Sequence, residues 1–498
     1  MQQAYPEPAQ QAVKRVDLTS QEYVVETMPP IANTLDLTAT FVLIIFFITN
    51  SASAIEGGAG TFTFWIVGGI TFFIPCVIAT AQLGHMFPYE GSLYNWTHKA
   101  FGGYWSFFVA FCAWFPGVLL MVTAADVVVG YVQGLNPHWL VAPWQQGLVL
   151  VLLIALSGFI SIQRFRGVLN IVKVILALAF LAVLLVGIAG VVWLIKGNHP
   201  VVSFNKPSDW GFTWNPPGYY TLALFGFITQ AYLGIEVPLN MGGEISSRKV
   251  ITRHLLWGTL LVFFGYFVSS FAILVVLGTA PSGNPFALVM TVDAALGKTA
   301  GNIAAILIMC NFVITPVIYN YAYARLLMVA GIDQRLPANL GRLNKNRVPA
   351  NAIIFQTVVA MLFTAAIYIV APSFTSGANA STLNSDVYNV VISASTLVWA
   401  ISTAFLFINL VKFYLDDPKT FRTHIIFPMP VLWLSIVLGT AACGVSIVGT
   451  LLYSLIPAQI DNQHWWYIVG GITFICLVVA AVGGMLASSE ADWQKIRS

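Results

Sequence analysis

Residues 222–244 read LALFGFITQAYLGIEVPLNMGGE, an apolar run whose second half is interrupted by residues unsuited to a membrane helix. Thr229 and Gln230 are polar, Gly234 relaxes the backbone, Glu236 carries a charge, and Pro238 removes a backbone donor and clashes with the preceding turn. Residues 41–60, FVLIIFFITNSASAIEGGAG, show the same change, from a greasy first half to small and polar residues between Thr49 and Ser53. Such breaks are tolerated at membrane depth only where the freed backbone groups are buried in protein or line a cavity.

The surrounding chain makes the membrane setting plain. Its 498 residues are 58% hydrophobic and 8% charged, whereas soluble domains carry roughly 25% charged residues. Several apolar stretches exceed the ~20 residues that a helix needs to cross hydrocarbon. Soluble and disulfide-rich secreted classes are thereby excluded, and so is a transmembrane β-barrel, whose spans would be ~10-residue alternating segments. The pattern predicts twelve helical spans near 37–54, 61–83, 103–132, 146–163, 168–195, 219–241, 252–280, 300–330, 351–371, 386–412, 429–456 and 465–487.

An even number of crossings puts both termini on one side, and Lys and Arg decide which. With a cytoplasmic N-terminus, eighteen of the 22 basic residues fall in inside segments; only Lys196, Lys206 and Lys298 fall outside, and Lys173 lies within a span. The expectation is an integral protein of the plasma or cell inner membrane, with cytoplasmic tails at 1–36 and 488–498. The basic loop from Arg335 to Arg347 then reads as a positive-inside loop rather than as a dedicated binding patch.

The two interrupted spans are the first and the sixth. That spacing is what two inverted five-helix repeats would give, 37–195 and 219–412, with 413–487 supplying two peripheral helices. Interrupted segments at corresponding positions of two halves are the best sequence pointer to a transporter's midplane site; the alternative is that small residues merely allow close helix packing. Three ionisable groups also fall within spans: Asp126, Lys173 and Glu236. Each costs about 2.5–3.5 kcal/mol at mid-helix, so a polar interior is expected around them. Lys173 is near a helix end, where it can either snorkel to the interface or serve as a buried amine in place of a cation, taking up and releasing a proton. Glu236, directly after the sixth-span break, suits a substrate amine, a proton, or a structural hydrogen bond. Asp126 lies near the outer end of its span, within reach of interfacial water. Glu244, followed by Arg248 and Lys249, reads as a salt-bridged gate or a solvated turn.

Enzyme and pump readings find little support. The seven His lie at span ends or in loops without motif spacing, the five Cys have no metal or redox spacing, and no nucleotide-binding loop is present. No cofactor and no metal are expected. The expected partners are a small-molecule solute, the lipid bilayer and protons, with no nucleic acid.

Three motifs in order carry a family likeness. AQLGHMFPYEGSLYNWTHKAFG (81–102), YLGIE (232–236) followed by GGEIS (242–246), and ARLLMVAGIDQRLPANLGRLNKNRVPANAI (324–353) resemble signatures of the amino acid–polyamine–organocation transporters. The likeness spans roughly 37–412. It implies an all-α membrane protein of about twelve helices with the LeuT-type 5+5 inverted repeat and discontinuous helices 1 and 6. It also implies secondary transport of an amino acid or related amine by alternating access, as a proton-coupled symporter or an exchanger; another small metabolite, such as a polyamine or nucleobase, is the alternative. By similarity, backbone N–H groups of Asn50, Ser51 and Ala52 face the substrate carboxylate. The unwound backbone at Gln230, Ala231, Leu233 and Gly234 takes the ammonium, Tyr232 or Phe227 gates the ligand, and Lys173 and Glu236 are the ion-coupling candidates. Two departures stand out: Thr-Asn-Ser-Ala-Ser replaces the family's Gly-Ser-Gly in helix 1, and Gln230 stands where some exchangers carry a bulky aromatic.

Overall fold

The computed structural model describes residues 18–211, 219–370, 372, 380–454 and 460–497, with side chains left undescribed at 219–221, 380–388 and 490–497. Lys14 and Arg15, counted with the basic face above, lie outside the described residues, as do the side chains of Lys495 and Arg497.

A short helix, α1 (Thr19–Thr27), precedes the first span. Span one is α2 (Thr34–Ile45) and α3 (Asn50–Ala54), whose axes bend by 44° at the intervening residues. Span two is α4 (Gly60–Gly68) and α5 (Ile74–Met86), joined through a π-helical turn at Gly69–Phe73. After α6 (Ser92–Phe101) come α7 (Gly103–Leu135), α8 (Pro143–Ser161) and α9 (Phe165–Ile195). Span six holds only α10 (Tyr219–Ala231) before the helix ends. Then follow α11 (Arg248–Val276), α12 (Ala287–Leu296), α13 (Lys298–Ile332) and α14 (Ala350–Ala365). The chain finishes with α15 (Ala380–Asp416), α16 (Pro418–Thr423), α17 (Met429–Leu452) and α18 (Asn462–Arg497).

Among the described residues, ten of these segments are long and apolar enough to span a bilayer unaided, the bent α2–α3 pair qualifies together, and α10 and α12 are shorter apolar helices. The bent pair and the short α10 are the two segments that the sequence marks as broken. The bundle has a clear inside. The long helices α7 and α13 pack on each other at its centre, and Gly117 lets them approach, since a Cβ there would sit 2.4 Å from the Tyr323 ring. In α7, 78% of the most apolar window is buried against protein; in α18 the figure is 28%, which leaves Phe474, Ile475 and Met485 facing lipid.

The start of span one shows how local sequence fixes the frame. The Asn33 side chain caps the Asp36 amide while Asp36 caps the Asn33 amide, a reciprocal box that satisfies two otherwise orphaned donors. The chain ahead of it is also held. Ser20 bonds Asp333 at the end of α13 through both its amide and its hydroxyl, Gln21 bonds Asn95, and Ala32 bridges to Ile245.

Candidate functional site

Both breaks expose backbone, and the same neighbours cover it. At the end of α2, Phe46 leaves helical geometry (φ −84°, ψ 81°), so the carbonyls before it lose their helical partners. Tyr319 of α13 donates to the Ile44 carbonyl at 2.8 Å. Tyr266 of α11 lies 2.7 Å from the Ile45 carbonyl and 3.1 Å from the Ala231 carbonyl at the end of α10. One hydroxyl therefore bridges the two broken spans, and the Asn50 amide approaches it from α3 at 3.4 Å. In span six the chain tightens through Leu233, whose amide donates to the Gln230 carbonyl, and then turns at Gly234 with φ +101°. Only glycine fits there: the conformation is left-handed, and a Cβ would lie 2.9–3.1 Å from Ile44 and the Trp399 indole. Pro238 opens the short 3-10 turn Val237–Asn240 that follows.

Between the breaks lies a small cavity of about 30 Å³, room for one or two waters. Of the residues expected from sequence, Asn50, Gln230, Ala231 and Leu233 line it. Ser51 and Ala52 follow in α3 on the first turn after the break, where the Ala52 carbonyl accepts from the Gly283 amide. Phe227 is buried one turn earlier in α10. Tyr232 faces elsewhere: its ring stacks on Phe73 at 4.5 Å and its hydroxyl reaches the Trp65 carbonyl, which places it against span two. Glu236 lies behind Trp399, whose indole N–H donates to its Oε1 at 3.0 Å.

Residues absent from the sequence-based set complete the walls: Phe47, Leu120, Tyr319, Ser395, Thr396 and Trp399. The signal that could have found the last three is the polar run SASTLVWAIST (393–403) within an otherwise apolar span.

The polar atoms around the cavity are under-bonded. Thr49 Oγ1, Asn50 Oδ1, Ser51 Oγ, both amide atoms of Gln230, and Glu236 Oε2 are buried without a hydrogen-bond partner in the protein. Buried polar groups are nearly always paired, because leaving one unpaired costs about 1–3 kcal/mol. Six such atoms on two facing breaks give a surface able to bond a polar molecule through several donors and acceptors at once.

Lys173 is not at this cavity. Its Nζ lies 2.9 Å from Asp36 Oδ1, at the capped start of α2, and Arg166 holds the other carboxylate oxygen at 3.2 Å. Ten residues of helix separate Asp36 from the break, about 15 Å at 1.5 Å per residue. Asp126 does not reach out to the interface either: it is buried and accepts from the Tyr368 hydroxyl at 2.7 Å.

A further charged cluster lies below the breaks. Arg325 of α13 is buried with its Nη2 at 2.8 Å from Glu244 Oε2 and its Nε at 3.4 Å from Glu90 Oε1. Arg248 and Lys249 are exposed and leave Glu244 to Arg325. Glu90 Oε2 accepts the Gly243 amide at 3.0 Å, and the guanidinium stacks on the Phe165 ring at 4.5 Å.

Comparison with known proteins agrees with this architecture. The profile of the family described as "Amino acid permease" matches residues 33–489. The chain is 25% identical to the gamma-aminobutyric acid permease of Bacillus subtilis strain 168, over 60% of this chain and 64% of that permease, just under two thirds of its length. It is 23% identical to the probable agmatine/putrescine antiporter AguD of Lactococcus lactis strain IL1403, covering 88% and 91% of the two chains. It is 26% identical to the inner membrane transporter YjeM of Salmonella typhimurium strain LT2, covering 90% and 95%. Among solved structures, MhsT in complex with L-phenylalanine superposes with a TM-score of 0.55 at 13% identity, over 85% of this chain and 99% of that one, a likeness of fold. With its profile match running from the cap of span one to the last helix, the chain belongs to the amino acid permease family, all-helical and of the LeuT type, with discontinuous first and sixth helices.

Proposed function

We propose that this permease carries an amino acid or a closely related amine across the membrane by alternating access, binding it between the breaks of spans one and six. The observation that carries the reading is the set of unpartnered polar atoms on those breaks, three of which, Asn50 Oδ1 and both side-chain amide atoms of Gln230, belong to residues that line the cavity. A zwitterion has complementary needs. Its carboxylate takes N–H groups at the start of α3 around Asn50, Ser51 and Ala52, which here donate to the Phe47, Ile48 and Thr49 carbonyls and must be released to it. Its ammonium takes backbone carbonyls near Gln230, Ala231 and Leu233, in place of the Leu233 amide and the Tyr266 hydroxyl that now cover two of them.

The cavity is smaller than any amino acid, so the two breaks must part to admit one. The relatives named above support the solute class, because gamma-aminobutyrate, agmatine and putrescine share an amine. The excess of Lys and Arg on the face bearing both ends of the chain supports cytoplasmic termini in a plasma or cell inner membrane. Transport coupled to protons, or exchange against internal solute, provides the driving force.

The test is uptake into liposomes bearing the purified protein, screened against labelled amino acids and amines, with and without a pH gradient or internal substrate. Saturable uptake of one chemical class is expected, lost in Asn50→Ala; equal leakage of all solutes, or none of any, would overturn the reading.

A further inference from the structure

The Glu90–Arg325–Glu244 cluster contains more negative than positive charge and is buried from solvent. We propose that it is a proton-binding site: the two carboxylates hold one proton between them while the basic face of the bundle is closed, and give it up when that face opens. The proposal relies on the transport reading only for the name of that face, the cytoplasmic one.

The geometry argues for a shared proton in three steps. All three side chains are essentially inaccessible, at 0% for Arg325, 1% for Glu90 and 2% for Glu244. Ionised together they would leave a net charge of −1 in a dry site, and two carboxylates that share such a site do not both stay charged. The contacts also divide unequally. Glu244 takes both Nε at 2.9 Å and Nη2 at 2.8 Å from Arg325, whereas Glu90 has only the 3.4 Å approach at Oε1, an oxygen without a hydrogen bond. Burial and the neighbouring Glu244 push the Glu90 carboxyl well above its ordinary range, against the pull of Arg325.

Among the described residues, Arg325 is the cation that contacts the two carboxylates. From α13 the facing groups are Arg325 and Tyr321, whose carbonyl takes Arg325 Nη1 and whose hydroxyl meets Thr40. From α9 come Phe165, over the guanidinium, and the cations Arg166 and Lys173, both committed to Asp36 of α2. From α1, Val24 lies over Gly243, while Glu22 and Glu26 are exposed. From α6, Asn95 bonds the Glu90 carbonyl, and Lys99 lies over the Phe87 and Tyr89 rings. From α11, Arg248 and Lys249 are exposed.

The cluster is also where the closed face is pinned. Glu90 bridges to Met241, Gly91 N–H donates to the Asn240 carbonyl, Ser92 bonds the Asn240 side chain, and the Ala32 amide donates to the Glu244 carbonyl. The loop after span two, the chain before span one and the chain after span six thus meet on these two carboxylates and one guanidinium. When they separate, water reaches the carboxylates, their affinity for the proton falls, and it passes to the aqueous phase on that side. The sign follows from linkage: a proton bound more tightly in the closed form favours closure at low pH, and closure weakens as pH rises through the closed-form value.

Hydrogen exchange read by mass spectrometry on the full chain in lipid nanodiscs tests this without any solute, and so without depending on what is transported. Peptides covering 86–96 and 238–248, corrected for intrinsic exchange, should lose protection between pH 5.5 and pH 8.5 in the wild type, by up to about tenfold per pH unit for one proton. Glu90→Gln, which copies the protonated acid, should stay protected with no pH slope. Glu244→Gln, which leaves one carboxylate facing one guanidinium, should also flatten the slope and serves if the first variant does not fold. Glu22→Gln, on the exposed face of α1, should retain the wild-type slope. A flat wild type, or a Glu90→Gln slope equal to wild type, overturns the proposal.

Discussion

Two buried polar regions lie one below the other in this bundle, and they are built in opposite ways. At the breaks, polar atoms outnumber their partners: Gln230 has neither amide atom bonded, and Glu236 has one carboxylate oxygen bonded and one bare. At the basic face, Arg325 donates its Nε to Glu244 and its Nη1 to the Tyr321 carbonyl, sets its Nη2 2.8 Å from the same Glu244 oxygen, and covers Phe165 with its flat face, while Glu90 Oε1 stays without a hydrogen bond. Paired polar groups hold a fold together, whereas unpaired ones weaken it and are tolerated where something else bonds them. On the proposed reading the upper region receives the solute and the lower one fastens the fold, and substitutions should separate the two.

The largest effect is expected from Arg325→Met. It leaves two buried carboxylates without their cation, a loss of about 3–5 kcal/mol, read as a collapse of thermal stability and of monodisperse yield. A variant that melts with the wild type would erase the contrast. Next is Tyr266→Phe, which frees the Ile45 and Ala231 carbonyls together. A loss of about 1–3 kcal/mol is expected, with a lower melting temperature and weaker uptake, because both breaks relax. Gln230→Leu should do the reverse of Arg325→Met. Since the amide has no partner to lose, melting should be unchanged or raised while KM for the preferred solute moves about tenfold, roughly 1.4 kcal/mol; a drop in melting temperature with unaltered KM would place Gln230 with the fastenings. The smallest effect is expected from Lys173→Ala. Arg166 remains on Asp36, so the protein should stay folded while uptake becomes less sensitive to pH; wild-type pH dependence would leave Lys173 as a structural partner of α2.

Much of this frame was legible from residue order. Greasy length marked the spans, and Gly234, Pro238 and the Thr49–Ser53 stretch marked the two that break, because backbone chemistry acts locally. The walls contributed by Leu120 and Tyr319 were not legible. On a helix that is apolar all round, the side facing a cavity is decided by tertiary packing rather than by periodicity. Charge was misleading for a related reason. Arg325 was counted among the inside cations, and such a count cannot tell a solvated guanidinium from one buried against two acids. Glu244 looked as though it would pair with its neighbours Arg248 and Lys249; it pairs across 81 residues instead. Lys173 was read through its depth in the helix, and its partner, Asp36, lies on another span.

The Tyr266 hydroxyl sets a rule of mutual exclusion. It carries one hydrogen and faces two carbonyls, one from each broken span, at 2.7 and 3.1 Å. A phenol cannot donate fully to both, so whenever it serves the first span it leaves a lone pair uncommitted on the sixth, and the reverse. On the proposed reading, a solute ammonium at either carbonyl would displace the phenol toward the other. One side chain on a continuous helix can thus transmit to each half of the molecule what has happened in the other.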